Sequence, residues 1–203
     1  MGTIIDYKVN ILQYADKHGL HFEGLMHEIF PLTLNLLFKK GSPIKMINHK
    51  ENYLIFIHSG QVYGTCHDGN YISSKKLITG KEIFLQGIIS KEPLPYQCAD
   101  QLWVAADRTE ITGIDLELIL KKLSQKEGAA EKLIDHIRTI ELERHNNYLK
   151  VHNNKSIIDK LTFLYQTDPN KITSTKKYLA EYLNVTSQGL SKAMATWDKT
   201  YLV

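Results

Sequence analysis

Apolar residues recur at helical spacing over residues 7–17, where Val9, Ile11 and Leu12 fall near one stripe and Gly19 follows as a stop. A second short helix is predicted over 23–30, ended by Pro31. From about Leu34 to Ile114 the texture changes. Short runs rich in β-branched and aromatic residues, at 34–38, 53–57, 61–65, 71–73, 77–78, 83–84, 96–98, 103–106 and 110–114, alternate with turn signals such as Gly41-Ser42-Pro43, Ser59-Gly60 and Thr79-Gly80. His67-Asp68-Gly69-Asn70 between two such runs reads as a hairpin. Many short strands at this spacing predict an antiparallel barrel or roll.

From Asp115 onward the period returns to 3.6. One helix is predicted over 115–123, capped by Asp115, and a long one over 127–150. Leu133, Ile134, Ile137 and Ile140 lie on or near one stripe of the long helix, between charged flanks. A narrow apolar stripe of this kind suits pairing with a second copy, which makes these four the expected dimerisation residues; packing on the chain's own roll is the alternative. Asn153-Asn154 breaks the helix, another is predicted over 156–165, and 167–170 is a turn. The expected fold is therefore α+β: a roll with N-terminal helices over 1–114, a helical linker and dimerisation helix over 115–150, and a helical domain over 151–203.

The strongest functional pattern lies in that last part. Thr175 is placed to cap a helix over Lys176–Leu183, whose inner face is Leu179, Ala180 and Leu183. Asn184 tolerates the left-handed backbone that ends a helix abruptly. Val185 plugs the turn, and Thr186 is placed to cap a second helix over 187–197 with Leu190, Ala193, Met194 and Trp197 facing inward. Ser187, Gln188, Ser191 and Lys192 are left pointing outward near its N-terminal end. That is the end a recognition helix presents to the major groove. Gln can contact adenine in bidentate fashion, Lys can donate to guanine or phosphate, and Ser can contact either. A plain helical hairpin with a solvated outer face is the bland alternative.

Charge sharpens this picture. The net charge is +3. Residues 1–114 hold 11 Lys+Arg and 11 Asp+Glu, and 115–150 hold 7 and 7. Residues 151–203 hold 7 lysines and 4 acids, so the whole surplus sits with the helix pair, a modest footprint for nucleic acid. Other chemistry finds little support. Nine histidines invite a metal site, with His18, His21 and His27 close to Glu28 and with His49, His58 and His67 on successive segments. No His-x-His or His-x-x-x-His occurs, so a cupin-like metal enzyme lacks its ligand pattern. Cys66 and Cys98 read as small buried hydrophobes and are too few for a disulfide framework or an iron–sulfur cluster. With no apolar run long enough for a membrane span and no secretory signal at the start, a cytoplasmic location is expected. No phosphate loop, nucleophile elbow or acid–base pair is evident, so catalytic and metal residues are not expected.

Three roll segments, Phe38-Lys39-Lys40-Gly41, the run from Tyr53 to Val62, and Gly80-Lys81-Glu82-Ile83-Phe84, are followed by the long helix and the helix pair. This order of parts resembles the cyclic-AMP receptor protein / fumarate-nitrate regulator (Crp/Fnr) family of bacterial transcription regulators, over nearly the whole chain from about Leu36. The resemblance implies a cyclic-nucleotide-binding-like roll, a homodimer along the long helix and a helix-turn-helix that binds double-stranded DNA. Thr175, Thr186, Ser187, Gln188, Ser191 and Lys192 are the expected DNA-binding residues, with Ser187, Gln188 and Lys192 at the family's usual base-reading positions. It further implies contact with RNA polymerase and a small-molecule effector of unknown identity in the roll.

Three departures qualify the resemblance. Ile83-Phe84-Leu85-Gln86-Gly87 lacks the family's cyclic-nucleotide glutamate, and 93–100 lacks its phosphate-binding arginine, so control by cyclic AMP is not expected and no cofactor is assigned. The N-terminal cysteine cluster of oxygen-sensing members is missing. The sequence stops at Tyr201-Leu202-Val203, where the family's wing hairpin normally begins, which predicts a truncated wing. A wingless module of this architecture that has lost DNA binding is the first alternative function, and the cupin-like enzyme the second.

Overall fold

The computed structural model describes residues 4–20, 22–46, 52–68, 71–87 and 100–201. Among these residues two helices, α1 (Ile4–Lys17) and α2 (Glu23–Ile29), lead through a 3-10 turn at Phe30–Leu32 into seven strands. These are β1 (Leu34–Phe38), β2 (Tyr53–Ser59), β3 (Gln61–Asp68), β4 (Tyr71–Thr79), β5 (Ile83–Gln86), β6 (Asp100–Ala105) and β7 (Thr109–Asp115). Five helices follow: α3 (Leu116–Leu123), α4 (Ala129–Asn153), α5 (Ile157–Thr167), α6 (Lys176–Leu183) and α7 (Ser187–Tyr201), with a 3-10 turn at Pro169–Lys171.

The strands form two antiparallel sheets, one in the order β1-β7-β2-β5 and the other β4-β3-β6. The last strand pairs with the first, Leu34 opposite Gly113 and Phe38 opposite Thr109. Alternating side chains divide each strand between two layers. Between the sheets, Ile44, Tyr53, Ile55, Ile57, Val62, Ile78, Trp103 and Ile111 form one core. Leu54, Phe56 and Ile114 emerge from the other face of the first sheet and meet Ile11, Met26, Ile119, Leu133 and Ile137 of the helices. β2 is therefore buried on both faces, which is why Tyr53–Ile57 reads as an unbroken apolar run rather than an alternating one. Tyr63 and Leu77 emerge from the second sheet and join the core of the C-terminal helices.

Most elements lie where the hydrophobic pattern predicts them, with two main differences. The runs at 71–73 and 77–78 are one strand, β4. Ser74, Lys76 and Thr79 interrupt its apolar pattern but are buried, and Lys76 has a charge partner there. The long helix starts at Ala129 rather than 127, because Gly128 adopts a left-handed conformation (φ 67°), and it runs on to Asn153. Asp115 caps α3 as expected, accepting the Leu118 N–H at 2.9 Å. The predicted strand at 96–98, the tip of the hairpin at 69–70, and Cys98, His21 and His49 lie outside the described residues.

Candidate nucleic-acid interface

α6 and α7 are built by the local chemistry that the sequence suggests. Asn184 ends α6 in the left-handed conformation (φ 55°, ψ 50°), and its N–H bonds back to the Ala180 and Glu181 carbonyls. Non-glycine residues pay about 1–2 kcal/mol to enter this region, and Asn enters it most readily. The Val185 N–H reaches the Ala180 carbonyl at 3.0 Å, closing the turn. Thr186 caps α7 by accepting the Gly189 N–H on its hydroxyl at 3.0 Å. Leu190 and Trp197 are buried and Ala193 and Met194 pack beside them. The Trp197 indole N–H donates to Thr162 Oγ1 on α5 at 3.1 Å, which fixes the roll angle of α7.

On the opposite side of α7, Ser187, Gln188 and Lys192 are exposed, with Thr186 exposed before them and Ser191 half-buried. Gln188 and Lys192, four residues apart, share one helical face. Thr175 behaves differently from the expectation. Its hydroxyl makes no capping bond to α6 and instead donates to the Ala106 carbonyl in the roll at 3.1 Å, so it belongs to the junction between roll and helices. The surplus charge also divides. Lys171 is buried against Asp168 at 3.1 Å and Lys160 donates to the Leu183 carbonyl at 2.9 Å, whereas Lys155, Lys176, Lys177, Lys192 and Lys199 remain exposed.

The pattern did not foretell how deeply α6 is enclosed. Tyr178 and Tyr182 are buried in addition to the predicted Leu179, Ala180 and Leu183. The Tyr178 ring lies 5.2 Å from that of Tyr63 on β3, and Tyr182 meets Tyr148 of α4 at 6.0 Å. Lys75 on β4 donates to the Glu181 carbonyl at 2.8 Å. One side of α6 thus carries α7 and the other docks on the roll. Two tyrosines on the polar side of so short a helix were the available signal for that second contact.

No family model matches the sequence. No curated protein matches it either. Solved structures do. A cyclic nucleotide-binding domain containing protein from Listeria monocytogenes is similar at 16% identity and TM-score 0.59, covering 87% of this chain and 88% of the other. FixK2 from Bradyrhizobium japonicum is similar at 13% identity and TM-score 0.62, covering 83% and 85%. A CooA mutant from Carboxydothermus hydrogenoformans gives 13% identity and TM-score 0.58, covering 87% and 79%. The fold is that of the Crp/Fnr regulators. At these identities the likeness is one of fold, and what the chain does rests on its own residues.

Within this Crp/Fnr fold the apolar stripe of α4 faces inward. Leu133 and Ile137 are buried in the protomer's own core and Ile140 packs against it, while Ile134 is half-buried. The expectation that Leu133 and Ile137 face a second copy is therefore corrected: their apolar area is already covered by α1, α3 and the first sheet. The exposed apolar residues of α4 are instead Leu142 and Leu149, one heptad apart on the opposite side. Farther along the inner side, Glu141 lies buried between Lys76 of β4 and Arg144. Arg144 donates to Glu141 Oε1 at 3.0 Å, to Glu82 Oε2 at 2.8 Å and to the Ile83 carbonyl at 2.7 Å. Burial alone would raise the Glu141 pKa; the neighbouring ammonium and guanidinium outweigh it and hold the carboxyl below its usual range.

Histidines are spread through the fold, and among the described residues no group of three His, Cys, Asp or Glu side chains could hold a metal ion. Among the described residues no helix is long and apolar enough to cross a membrane. His67 meets Thr65 Oγ1 at 3.0 Å. His58 is 7% exposed, pairs its Nε2 with Thr112 Oγ1 at 2.7 Å and lies beside the rings of Tyr7 and Phe56. Burial lowers its pKa from 6.5 to about 4. The unfolded chain takes up this proton near 6.5 and the folded chain does not, so stability falls as pH drops from about 6.5 towards 4. One such group accounts for about 3 kcal/mol over that window. Urea midpoints at pH 7 and pH 4.5 are expected to converge in His58→Gln relative to the wild type; an unchanged pH dependence would contradict the assignment.

A small apolar cavity of about 10 Å³ lies between α1, the first sheet and α4, lined by Tyr14, Phe56, Ile83 and Leu133 among others. That is space for one water at most. An open cleft of about 380 Å³ separates the ends of the roll from the turn before α6, between Gln61, Lys81 and Asp107 on one side and Asn170 and Thr173 on the other.

Proposed function

We propose that this chain is a sequence-specific DNA-binding transcription regulator of the Crp/Fnr type, with α7 as the recognition helix. The observation that carries the reading is the exposed polar end of α7, Thr186, Ser187, Gln188 and Lys192, held rigidly by the Asn184 turn and the Trp197 anchor. Donor and acceptor side chains in this position can read base edges, and exposed Lys155, Lys176, Lys177 and Lys199 of the same C-terminal region supply positive charge for phosphates. Ser191 sits at the edge of this surface. Thr175 reaches a phosphate only if its bond to the Ala106 carbonyl opens.

Control by cyclic AMP is not part of the proposal. Arg108 and Arg138 are exposed, and Arg144 is held by Glu141, Glu82 and the Ile83 carbonyl, which leaves no arginine for a buried phosphate. An effector acting on the roll and a contact with RNA polymerase belong to the same reading without a residue assignment.

The proposed assembly is a homodimer along the outer face of α4, with Leu142 and Leu149 at its seam. Leu142→Glu with Leu149→Glu is expected to give a folded monomer by sedimentation. A dimer that survives the pair would place the seam elsewhere.

Titration of duplex DNA across a salt series tests the binding itself. Affinity whose logarithm falls linearly with the logarithm of salt, with a slope of several units, is the expected result. A stable dimer that binds no duplex at low salt would favour the interaction-module alternative instead.

A further inference from the structure

β4 carries two adjacent lysines that grip different parts of the molecule. Strand alternation sends residues 75 and 76 to opposite faces of the sheet. Lys76, opposite Gly64 on β3, enters the interior of the roll, where its ammonium lies 5.7 Å from the Trp103 ring. There it pairs with Glu141 of α4; the two side chains are 6% and 3% exposed. Lys75 leaves by the outer face and donates to the Glu181 carbonyl at 2.8 Å, with Asn184 Oδ1 at 3.5 Å. Tyr63, on the neighbouring strand and the same face, hydrogen-bonds the Glu181 side chain and stacks on Tyr178.

The end of α6 that Lys75 reaches is held from two further directions. His152, in the last turn of α4, meets the Tyr182 carbonyl through Nε2 at 3.0 Å. Lys160 of α5 donates to the Leu183 carbonyl at 2.9 Å. Three consecutive carbonyls, those of Glu181, Tyr182 and Leu183, are thus each held by a different element. These are among the last carbonyls of the helix, at the negative end of its dipole, and that of Glu181 also accepts the Asn184 N–H at 3.2 Å. The Asn184 turn that aims α7 begins at the next residue.

We propose that β4 is the coupling strand between the roll and the helix-turn-helix: Lys76 fixes it to α4 and Lys75 fixes it to the turn that orients α7. A shift of β4 then displaces the dimerisation helix and the recognition helix together, since one backbone carries both grips. A buried ion pair adds little stability over an apolar pair of the same volume; what Lys76 and Glu141 add is a defined register between strand and helix. The consequence for DNA recognition rests on the proposed function of α7, but the mechanical link does not.

Hydrogen exchange on the full chain, without DNA, tests the link. Lys75→Met keeps the aliphatic stem and removes the donor. Amides from 179 to 185 are expected to exchange about tenfold faster, those of 137–148 in α4 to stay at the wild-type rate, and Lys75→Arg to restore protection. The decisive variant is Lys76→Met with Glu141→Met, which leaves no unpaired charge between β4 and α4 and touches no atom of α6. It is expected to speed exchange at 179–185 about threefold. Wild-type exchange at 179–185 in either Lys75→Met or the double variant would overturn the proposal. A parent protein that binds no DNA would retire the DNA-binding reading and leave this result standing.

Discussion

Replacing Gln188 and Lys192 together by alanine is expected to abolish sequence-specific DNA binding while leaving fold and dimer intact. Both side chains are exposed on α7, so their removal opens no cavity. A well-made base contact is worth about 1–3 kcal/mol, and the loss of two costs roughly 30-fold or more in affinity for the specific site. Binding to unrelated duplexes is expected to change far less, by about the one phosphate contact that Lys192 can make. Titrations of specific and unrelated duplexes at one salt concentration separate the two effects. Equal losses on both duplexes would make α7 a phosphate-binding helix rather than a reading one. The thermal midpoint, a control on the fold, is expected to move little, because surface changes of this kind lie within about 0.5 kcal/mol.

The second large effect concerns stability. Glu141→Ala leaves Lys76 and Arg144 inside the protein without the carboxylate that both contact. Breaking a buried pair in this way costs about 3–5 kcal/mol. For a chain of this length each kcal/mol shifts the thermal midpoint by roughly 2–4 °C, so a drop on the order of 10 °C is expected. Exchanging Lys76 and Glu141 together for methionine is expected to restore part of it, because Lys76 is then no longer stranded and Arg144 keeps its bonds to Glu82 and the Ile83 carbonyl. The same geometry sets an acid dependence. The folded Glu141 carboxyl is held below its ordinary value, so its contribution is present above the ordinary carboxylate range and is lost as pH falls from that range to the lower folded value. Acid unfolding of the double variant should therefore be shallower than that of the wild type. If Glu141→Ala proves as stable as the wild type, the pairs it makes with Lys76 and Arg144 do not hold α4 to the roll.

The architecture was legible because its signals are local. The Asn184 stop, the Thr186 cap and the spacing of Leu190 and Trp197 are written in consecutive residues, and the structure realises each. Thr175 shows where such reasoning runs out. A threonine before a helix is an ordinary cap, but a carbonyl 69 residues earlier in the chain, at Ala106, takes its hydroxyl instead. The stripe on α4 shows the same limit. Helical spacing identifies the apolar face and is silent on what covers it, and here the chain's own roll covers Leu133 and Ile137. Lys75 and Lys76 were the least legible. In a strand they look like an interruption, and splitting β4 around them was the natural reading. Their partners, Glu181 and Glu141, lie 106 and 65 residues away, and only the fold brings them together.

Selection of binding sites from a random duplex library by the purified chain tests the central claim most directly. The account predicts enrichment of a near-palindrome whose half-sites lie about 34 Å apart, one helical turn of DNA, the geometry that two recognition helices in a dimer require, and loss of that enrichment with Gln188→Ala and Lys192→Ala. A folded, dimeric protein that enriches no sequence over the starting library would contradict it.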